Sequence, residues 1–429
     1  MRRRLSIFLF LLIFVVIPSA IWLSVEPVAL RLASKAMIWR SLGQISGLLG
    51  MSLMGWGIFL SARWRFLDRW LLGTNRLYRD HHWLGVVAFL LLLFHPLALA
   101  VKFSFSSLSV ASLLFIPWSG TKGVTWGILA LAGLMLLLIL TFFISLAYHK
   151  WHLTHRFLAL VFIFSFVHML LVDSDILNFS SLRLYYLLLS LLAFLSIGYR
   201  LLLSLRLLPR YRYRVVSIAQ PQEKIFDLWL EPLGRRMNYR PGQFAFLTFN
   251  NQKFAGEAHP FSLAGQRADG SIRVIIKNLG DYTDNLKNLE ISDQVLIEGP
   301  YGFFGQDTQP AQLWISGGIG FTPFLSLLDS LTDRHDIFFY HVPGVNEEVG
   351  LIVPELEKAA GSYKFHYQIW SKDQGHITAA EIIKAVPDWQ RRNVLICGPS
   401  SMMSSLKKQF STLGGKKRQL ISEDFNLFV

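Results

Sequence analysis

Apolar residues are distributed along the chain in two regimes. Up to about Leu205 they come in long runs, and beyond it they alternate with polar residues in short bursts. A helix needs about 20 predominantly apolar residues to cross the hydrocarbon core of a bilayer. Runs of that kind fall at Leu5 to Leu23 and near Ile38 to Leu60, His82 to Val101, Trp126 to Tyr148, Phe157 to Val172 and Tyr185 to Leu205. The pattern predicts six membrane helices. Arg2, Arg3 and Arg4 ahead of the first run would also suit a signal peptide, but the run is long and no clean small-residue cleavage site follows, so a retained helix is expected.

Past Leu207 the pattern becomes that of short strands. Pro209 to Val216 is a basic exit into alternating sequence, and Phe244 to Phe249, Ser271 to Lys277 and Gln294 to Glu298 read as strands between Pro and Gly turns. A small antiparallel barrel is expected there. A third regime opens at Gln312 to Ser316, an apolar strand that runs into Gly317-Gly318-Ile319-Gly320 and then Thr322-Pro323 before a helical stretch, Phe324 to Leu331. Glycines between a strand and a helix let backbone amides approach a phosphate, and Pro belongs in the first turn of a helix. A second strand, Asn393 to Ile396, ends in Cys397-Gly398-Pro399-Ser400 before another helix. The fold class expected is a multidomain membrane protein: residues 1–206 a six-helix transmembrane domain, 207–308 an antiparallel β-barrel and 309–429 an α/β Rossmann-like domain.

Composition agrees with a membrane protein, since 52% of the 429 residues are hydrophobic and the mean hydropathy is +0.40. The formal charge of +14 does not point to nucleic acid, because the basic residues sit at alternate ends of the apolar spans. With the amino terminus cytoplasmic, the Arg63 to Arg79 loop, Lys150, Arg156 and the Arg206 to Arg214 segment lie inside. The outer loops hold fewer cations, among them Arg31, Lys35, Lys102, Lys122 and Arg183. That is the positive-inside arrangement, and it puts the soluble half in the cytoplasm. Cys397 is the sole cysteine, which excludes an intramolecular disulfide, a four-cysteine iron–sulfur cluster and covalent c-type haem attachment.

Two of the apolar runs carry histidines in pairs. His81 and His95 are fourteen residues apart, His155 and His168 thirteen. At ~1.5 Å per residue each pair spans about 20 Å of helix. Imidazole is an axial ligand of haem iron, and ionisable groups inside a span usually mark function, so two such helices side by side could clamp two haems. A step of fourteen returns to within about 40° of one face, but a step of thirteen lands about 140° away. The second helix must therefore be distorted, or its ligands must aim from its flanks.

These segments resemble the ferric reductase transmembrane domain shared by NADPH oxidases and ferric-chelate reductases, which hold two b-type haems. The resemblance implies that His81 with His155 and His95 with His168 are the metal ligands, leaving His82, His149 and His152 out. The predicted topology sets the members of each pair at the same depth, which supports that pairing. In the soluble half, Arg240 to Phe244, His259 to Leu263, Ile276 to Thr283 and Glu298 to Gly302 resemble, in that order, the FAD-binding barrel of the ferredoxin-reductase superfamily. It implies that His259, Pro260, Phe261 and Ser262 line the flavin, with the Ser262 hydroxyl near the reactive nitrogen, and that Ile276, Lys277, Gly280 and Thr283 form the pyrophosphate segment. Gly317, Gly318, Gly320, Thr322, Pro323, Cys397, Gly398 and Pro399 match the nicotinamide-nucleotide domain, with Cys397 beside the nicotinamide. Phe425 is the expected flavin-stacking aromatic near the end of the chain, and Phe428 the second choice. Arg40, near the outer face, would hold a haem propionate or stabilise superoxide; its alternative is snorkelling to the headgroups.

The joint expectation is an NAD(P)H oxidoreductase of the bacterial plasma membrane with FAD and two b-type haems. It would pass electrons to extracytoplasmic oxygen or, alternatively, to a ferric chelate, with membrane lipid as its surroundings and no obligate protein partner. The outer loops are short and show no acidic or histidine-rich metal site, which favours oxygen. NADPH-selective relatives carry an arginine beyond the second strand of the nucleotide domain, where this chain has His341-Val342-Pro343-Gly344. NADH preference or weak discrimination follows.

Overall fold

The computed structural model describes residues 12–64, 66–67, 74–118, 121–144, 148–205, 210–222, 224–250, 254, 256–306, 308–344 and 347–423. The chain divides into two compact units, residues 1–71 with 76–208, and 72–75 with 209–429.

The first unit is helical. Its principal helices are α1 (Ile17–Val25), α2 (Lys35–Ser61), α3 (Thr74–Ser104), α4 (Lys122–Phe142), α5 (Tyr148–Arg156), α6 (Leu158–Leu171) and α7 (Ser180–Ser204). Five stretches among the described residues are long and apolar enough to cross a membrane: Lys35–Ser61, Leu77–Ser104, Lys122–Thr141, Lys150–Leu171 and Ser180–Ser204. The first expected span falls partly outside the described residues, and its described part, Leu12 to Leu23, lies in helix that continues to Val25. The span expected at Trp126 to Tyr148 is shifted. α4 starts at Lys122, capped by the Thr121 hydroxyl, and ends at Phe142, while Tyr148 already opens the next helix. The chemistry of the cap set the start, and an apolar run cannot show where a helix stops within it.

Hydrophobic side chains face outward as well as inward. Leu90, Leu136, Leu184, Leu188, Leu195 and Leu201 are exposed, as suits helices whose solvent is hydrocarbon. The interior is built from Trp22, Leu48, Met51, Phe162, Met169, Tyr186 and Leu189. Some of its polar groups are satisfied locally: the buried Tyr186 hydroxyl donates to the Leu48 carbonyl at 2.7 Å, and the Ser52 and Tyr185 hydroxyls pair at 2.7 Å.

The second unit holds two sheets. Strands β1 (Tyr211–Gln222), β2 (Ile225–Pro232), β3 (Phe244–Phe249), β4 (His259–Ser262), β5 (Gly265–Gln266), β6 (Ile272–Lys277) and β7 (Gln294–Tyr301) form an antiparallel sheet in the order β4-β3-β7-β1-β2-β6-β5. Tyr213, Leu228, Leu247, Val274 and Ile297, from five of these strands, share one buried core, as a strongly curled sheet requires. Strands β8 (Ala311–Gly317), β9 (Asp336–Val342), β10 (Lys364–Ile369), β11 (Asn393–Cys397) and β12 (Leu420–Glu423) form a parallel sheet in the order β10-β9-β8-β11-β12. Helices α8 (Thr322–Leu328), α9 (Glu347–Ser362), α10 (Ala379–Ala385) and α11 (Ser400–Thr412) accompany it. β8 and β9 lie on one side of the point where strand order reverses and β11 on the other. In open α/β sheets that switch point is where ligands bind, outside the carboxyl ends of the strands.

Candidate functional site

The structure brings the four histidines together in two pairs. The rings of His81 and His155 have centroids 6.0 Å apart at 73°, and those of His95 and His168 are 6.3 Å apart at 71°. The thirteen-residue step is accommodated by a break. At Phe157, between α5 and α6, the backbone makes a tighter three-residue turn, with the Phe157 amide donating to the Thr154 carbonyl at 3.0 Å. The helix carrying His155 thereby takes its own phase. His82, left out as a ligand, is exposed.

Three of the four rings are fixed by backbone. His81 Nδ1 bonds the Gly57 carbonyl at 2.8 Å, His95 Nδ1 that of Gly43 at 2.7 Å, and His168 Nδ1 that of Gly123 at 2.7 Å. A carbonyl can only accept, so each Nδ1 carries the hydrogen and each Nε2 keeps its lone pair, the state a metal ligand needs. His155 instead lies against Trp151, 5.2 Å away at 25°. Among the described residues no group of three or more His, Cys, Asp or Glu side chains is arranged to hold a metal ion. A pair of imidazoles suits a metal whose remaining ligands come from a macrocycle.

A cavity of about 490 Å³ opens beside His95 and His168. Its apolar walls include Leu92, Leu131 and Val161, and its polar lining includes Arg40, Gln44, Lys102, Asp173 and Asp175. Arg40 also pairs with Glu26 at 3.6 Å. Asp173 and Asp175 put carboxylates on this lining, although among the described residues they belong to no group of three or more side chains arranged to hold a metal ion. A short connection between α6 and α7 sufficed to bring them to the cavity, which loop length alone did not reveal.

In the antiparallel sheet, β4 presents the expected flavin-lining residues in register with β3: His259 opposite Leu247, Pro260 opposite Phe246, Phe261 opposite Ala245 and Ser262 opposite Phe244. His259 stacks on Tyr282 with ring centroids 3.7 Å apart and bonds Glu257 at 2.8 Å. Burial holds its imidazole below the usual value, and Glu257 opposes that shift. Ile276 is buried on β6. Lys277 beside it bonds Glu348 of α9 at 2.7 Å, and that carboxylate is fully buried and also accepts the Gly344 amide at 2.7 Å. The Thr283 hydroxyl accepts from the amides of Leu279 at 2.9 Å and Gly280 at 3.2 Å, so in this state the expected pyrophosphate donors are engaged with one another. Sequence reasoning missed Glu348, for which Lys277, 71 residues away, gives no local signal.

At the switch point of the parallel sheet the glycine turn after β8 meets the turn after β11. A Cβ on Gly320 would stand 2.5 Å from the Cys397 carbonyl oxygen, and one on Gly317 would stand 3.0 Å from Pro399 Cδ. Glycine is what lets the two turns touch. Gly318 is in the left-handed region at φ 53°, Thr322 and Pro323 open α8, and Gly398 adjoins the buried Cys397. His341 is not available to a 2′-phosphate. It is fully buried on β9, hydrogen-bonded through Nδ1 to the Ser316 hydroxyl at 2.8 Å, and burial pushes its pKa down to about 4 against the influence of Glu348. Phe425 and Phe428 lie outside the described residues.

A helical unit with paired histidines, joined in one chain to an antiparallel and a parallel sheet, defines a membrane oxidoreductase of the flavin-reductase type. Residues 46–166 match the ferric reductase like transmembrane component, and residues 210–304 match an FAD-binding domain. The chain therefore has the architecture of the NADPH oxidase and ferric reductase family. It is 27% identical over 231 residues to flavohemoprotein A of Dictyostelium discoideum, covering 48% of this chain and 58% of that protein. With NADH-cytochrome b5 reductase 1 of Laccaria bicolor it shares 28% over 188 residues, 39% of this chain and 61% of the other. The chain thus spans less than two thirds of the length of these relatives. Among solved structures, the flavohem-like FAD/NAD binding domain of nitric oxide dioxygenase from Vibrio cholerae aligns over 50% of this chain and 98% of its own at 21% identity, with a TM-score of 0.42.

Proposed function

We propose that the protein carries electrons from cytoplasmic NAD(P)H through FAD and two b-type haems to oxygen on the far side of the membrane, giving superoxide. One observation carries the haem part of this reading: two histidine pairs, His81 with His155 and His95 with His168, whose rings are 6.0 and 6.3 Å apart. With metal–nitrogen distances of about 2 Å, rings this far apart would leave room for one metal between the members of each pair. The donor chemistry fits as well, because backbone carbonyls on three Nδ1 atoms leave Nε2 free to ligate.

FAD, when bound, supplies the conversion from a two-electron hydride to single electrons, and haem supplies one-electron relay. The residues of this chain do the positioning. His81, His155, His95 and His168 hold the metals. His259, Pro260, Phe261 and Ser262 line the flavin, with Ser262 supplying a hydroxyl. Ile276, Lys277, Gly280 and Thr283 take its pyrophosphate. Gly317, Gly318, Gly320, Thr322, Pro323, Gly398 and Pro399 shape the dinucleotide crevice, with Cys397 at its floor and Phe425 over the flavin. Arg40, on the cavity beside His95, offers a cation to a carboxylate or to a nascent anion. The engagement of Lys277 by Glu348 and the burial of His341 support preference for NADH, since neither leaves a free cation for a 2′-phosphate.

Asp173 and Asp175 on the same cavity favour a second reading, reduction of a ferric chelate. The two are separated by reducing purified protein anaerobically with NADH and admitting oxygen or ferric citrate separately. The oxidase predicts cytochrome c reduction that superoxide dismutase suppresses. Fast reoxidation by iron alone would assign the protein to the reductases. A preparation whose pyridine haemochrome shows no haem would end both readings.

A further inference from the structure

The two histidine pairs are seated differently. On α2 the sequence reads Gly43-Gln44-Ile45-Ser46-Gly47, and on α4 it reads Gly123-Val124-Thr125-Trp126-Gly127. In both, the first glycine's carbonyl bonds a histidine Nδ1 of a neighbouring helix at 2.7 Å. The Gly43 carbonyl also accepts the Ser46 hydroxyl at 2.9 Å. The second glycine, one turn on and on the same face, lies directly under that imidazole. A Cβ on Gly47 would stand 2.6 Å from His95 Nδ1 and 2.9 Å from its Cε1, and one on Gly127 would stand 2.7 and 2.9 Å from the same atoms of His168. Real Cβ atoms do not approach that closely, and the obstructed atoms belong to a planar ring tied down at one nitrogen.

Among the described residues the other pair has no such seat. Gly57 accepts the His81 bond, but a Cβ there would stay 3.7 Å from Nδ1, and the position one turn on is Ser61. His155 is held by the face of Trp151.

We propose that Gly47 and Gly127 are positioning residues that set the rotation and depth of His95 and His168, so that one metal site of the two is tuned by glycine and the other is not. This rests on the reading that the histidines bind haem. The partner of the non-ligating nitrogen and the surface beneath the ring fix which way an axial imidazole faces and how basic it is. A methyl group at either glycine must turn the ring or push the helix away.

The test uses the full-length protein in detergent with haem bound, carrying Gly47→Ala or Gly127→Ala. Haem per chain, low-temperature EPR of the oxidised protein and a potentiometric titration are read. Each variant is expected to shift or lose one of the two haem components and leave the other unchanged. Gly85→Ala and Gly198→Ala, whose Cβ would meet nothing within 4 Å, leave both components in place. Gly50→Ala separates crowding from seating, because its Cβ would stand 2.7 Å from Leu92 Cγ and its three nearest neighbours are all atoms of Leu92. Fully loaded Gly47→Ala and Gly127→Ala with wild-type signals would overturn the proposal. So would the same loss in Gly50→Ala as in Gly47→Ala, which would place the effect in helix packing. Wild-type protein without haem would instead strike the reading on which the proposal stands.

Discussion

The two units hold their chemistry-bearing side chains by opposite means. In the helical unit three of the four histidines are fixed by neutral backbone carbonyls of Gly43, Gly57 and Gly123. In the sheet unit Lys277 is held by the charge of Glu348, Arg273 on the same strand by Asp227 and Glu355, and the His259 imidazole by a hydrogen bond with Glu257. The dielectric explains the difference. A buried ion pair surrounded by hydrocarbon loses more hydration than its attraction returns, whereas a carbonyl already oriented by its helix satisfies an imidazole without introducing a charge.

Glycine divides along the same line, and that gives the largest expected effect. Gly47 and Gly127 have ordinary helical backbones and matter through the space they leave. Gly242, in the turn before β3, matters through its own conformation: its φ is 81°, its amide donates to the Ser326 hydroxyl at 2.8 Å, and a Cβ would drive into the Phe304 carbonyl oxygen. Gly242→Ala is expected to destabilise the sheet unit by about 3 kcal/mol, read as a fall in the temperature of flavin release, with the haem spectrum unchanged. Equal losses in the flavin and haem signals would break the division.

The next effect is a pH dependence confined to the sheet unit. His341 is buried neutral with a folded pKa of about 4, and its value in the unfolded chain is near 6.5. Between those values the unfolded chain binds the extra proton. The stabilisation is therefore complete above about pH 6.5 and is lost as the pH falls toward 4, at up to about 1.4 kcal/mol per unit. Melting of the sheet unit should fall by roughly 2 kcal/mol between pH 6.5 and 5, and His341→Gln should flatten that slope. An unchanged slope in the variant would assign the acid sensitivity to other groups.

These cases also show what could be read from the chain beforehand. The membrane helices were legible because their apolar runs are long, and helical rise and rotation put His81 and His95 on one face, whereas which histidine meets which across the helices was implied by the family resemblance and supported by the expected depths. The spacing of thirteen was legible only as a problem, and its answer, the tightened turn at Phe157, lies in backbone geometry that no side-chain pattern specifies. The two glycine seats were in plain sight as Gly-x-x-x-Gly, a spacing that puts both residues on one face, but they gain meaning only when a ring from another helix is placed on them. In the sheet unit the glycine turns and the order of motifs were legible. Long-range pairings were not, because Asp173 at the cavity or Glu348 against Lys277 depends on how loops and domains close.

The Lys277–Glu348 pair offers the smallest and most discriminating test. Its ammonium and carboxylate meet at 2.7 Å, and the carboxylate lies 3.8 Å from where a Cβ of Gly318 would be, at the turn that faces the dinucleotide crevice. Glu348→Gln keeps the volume and the acceptor for the Gly344 amide but releases the lysine's charge. The FAD pyrophosphate that Lys277 is proposed to take gains from that charge, so the ratio of FAD affinity in the variant to that in the wild type should rise about threefold, less than 1 kcal/mol, with kcat at saturating FAD unchanged. The modest size is itself expected, because Lys277 is a flexible point charge rather than a rigid two-pronged donor like arginine. A ratio that does not move would mean that the pair only stitches β6 to α9, and the sheet unit's use of charge would then be structural here, as it is at Arg273.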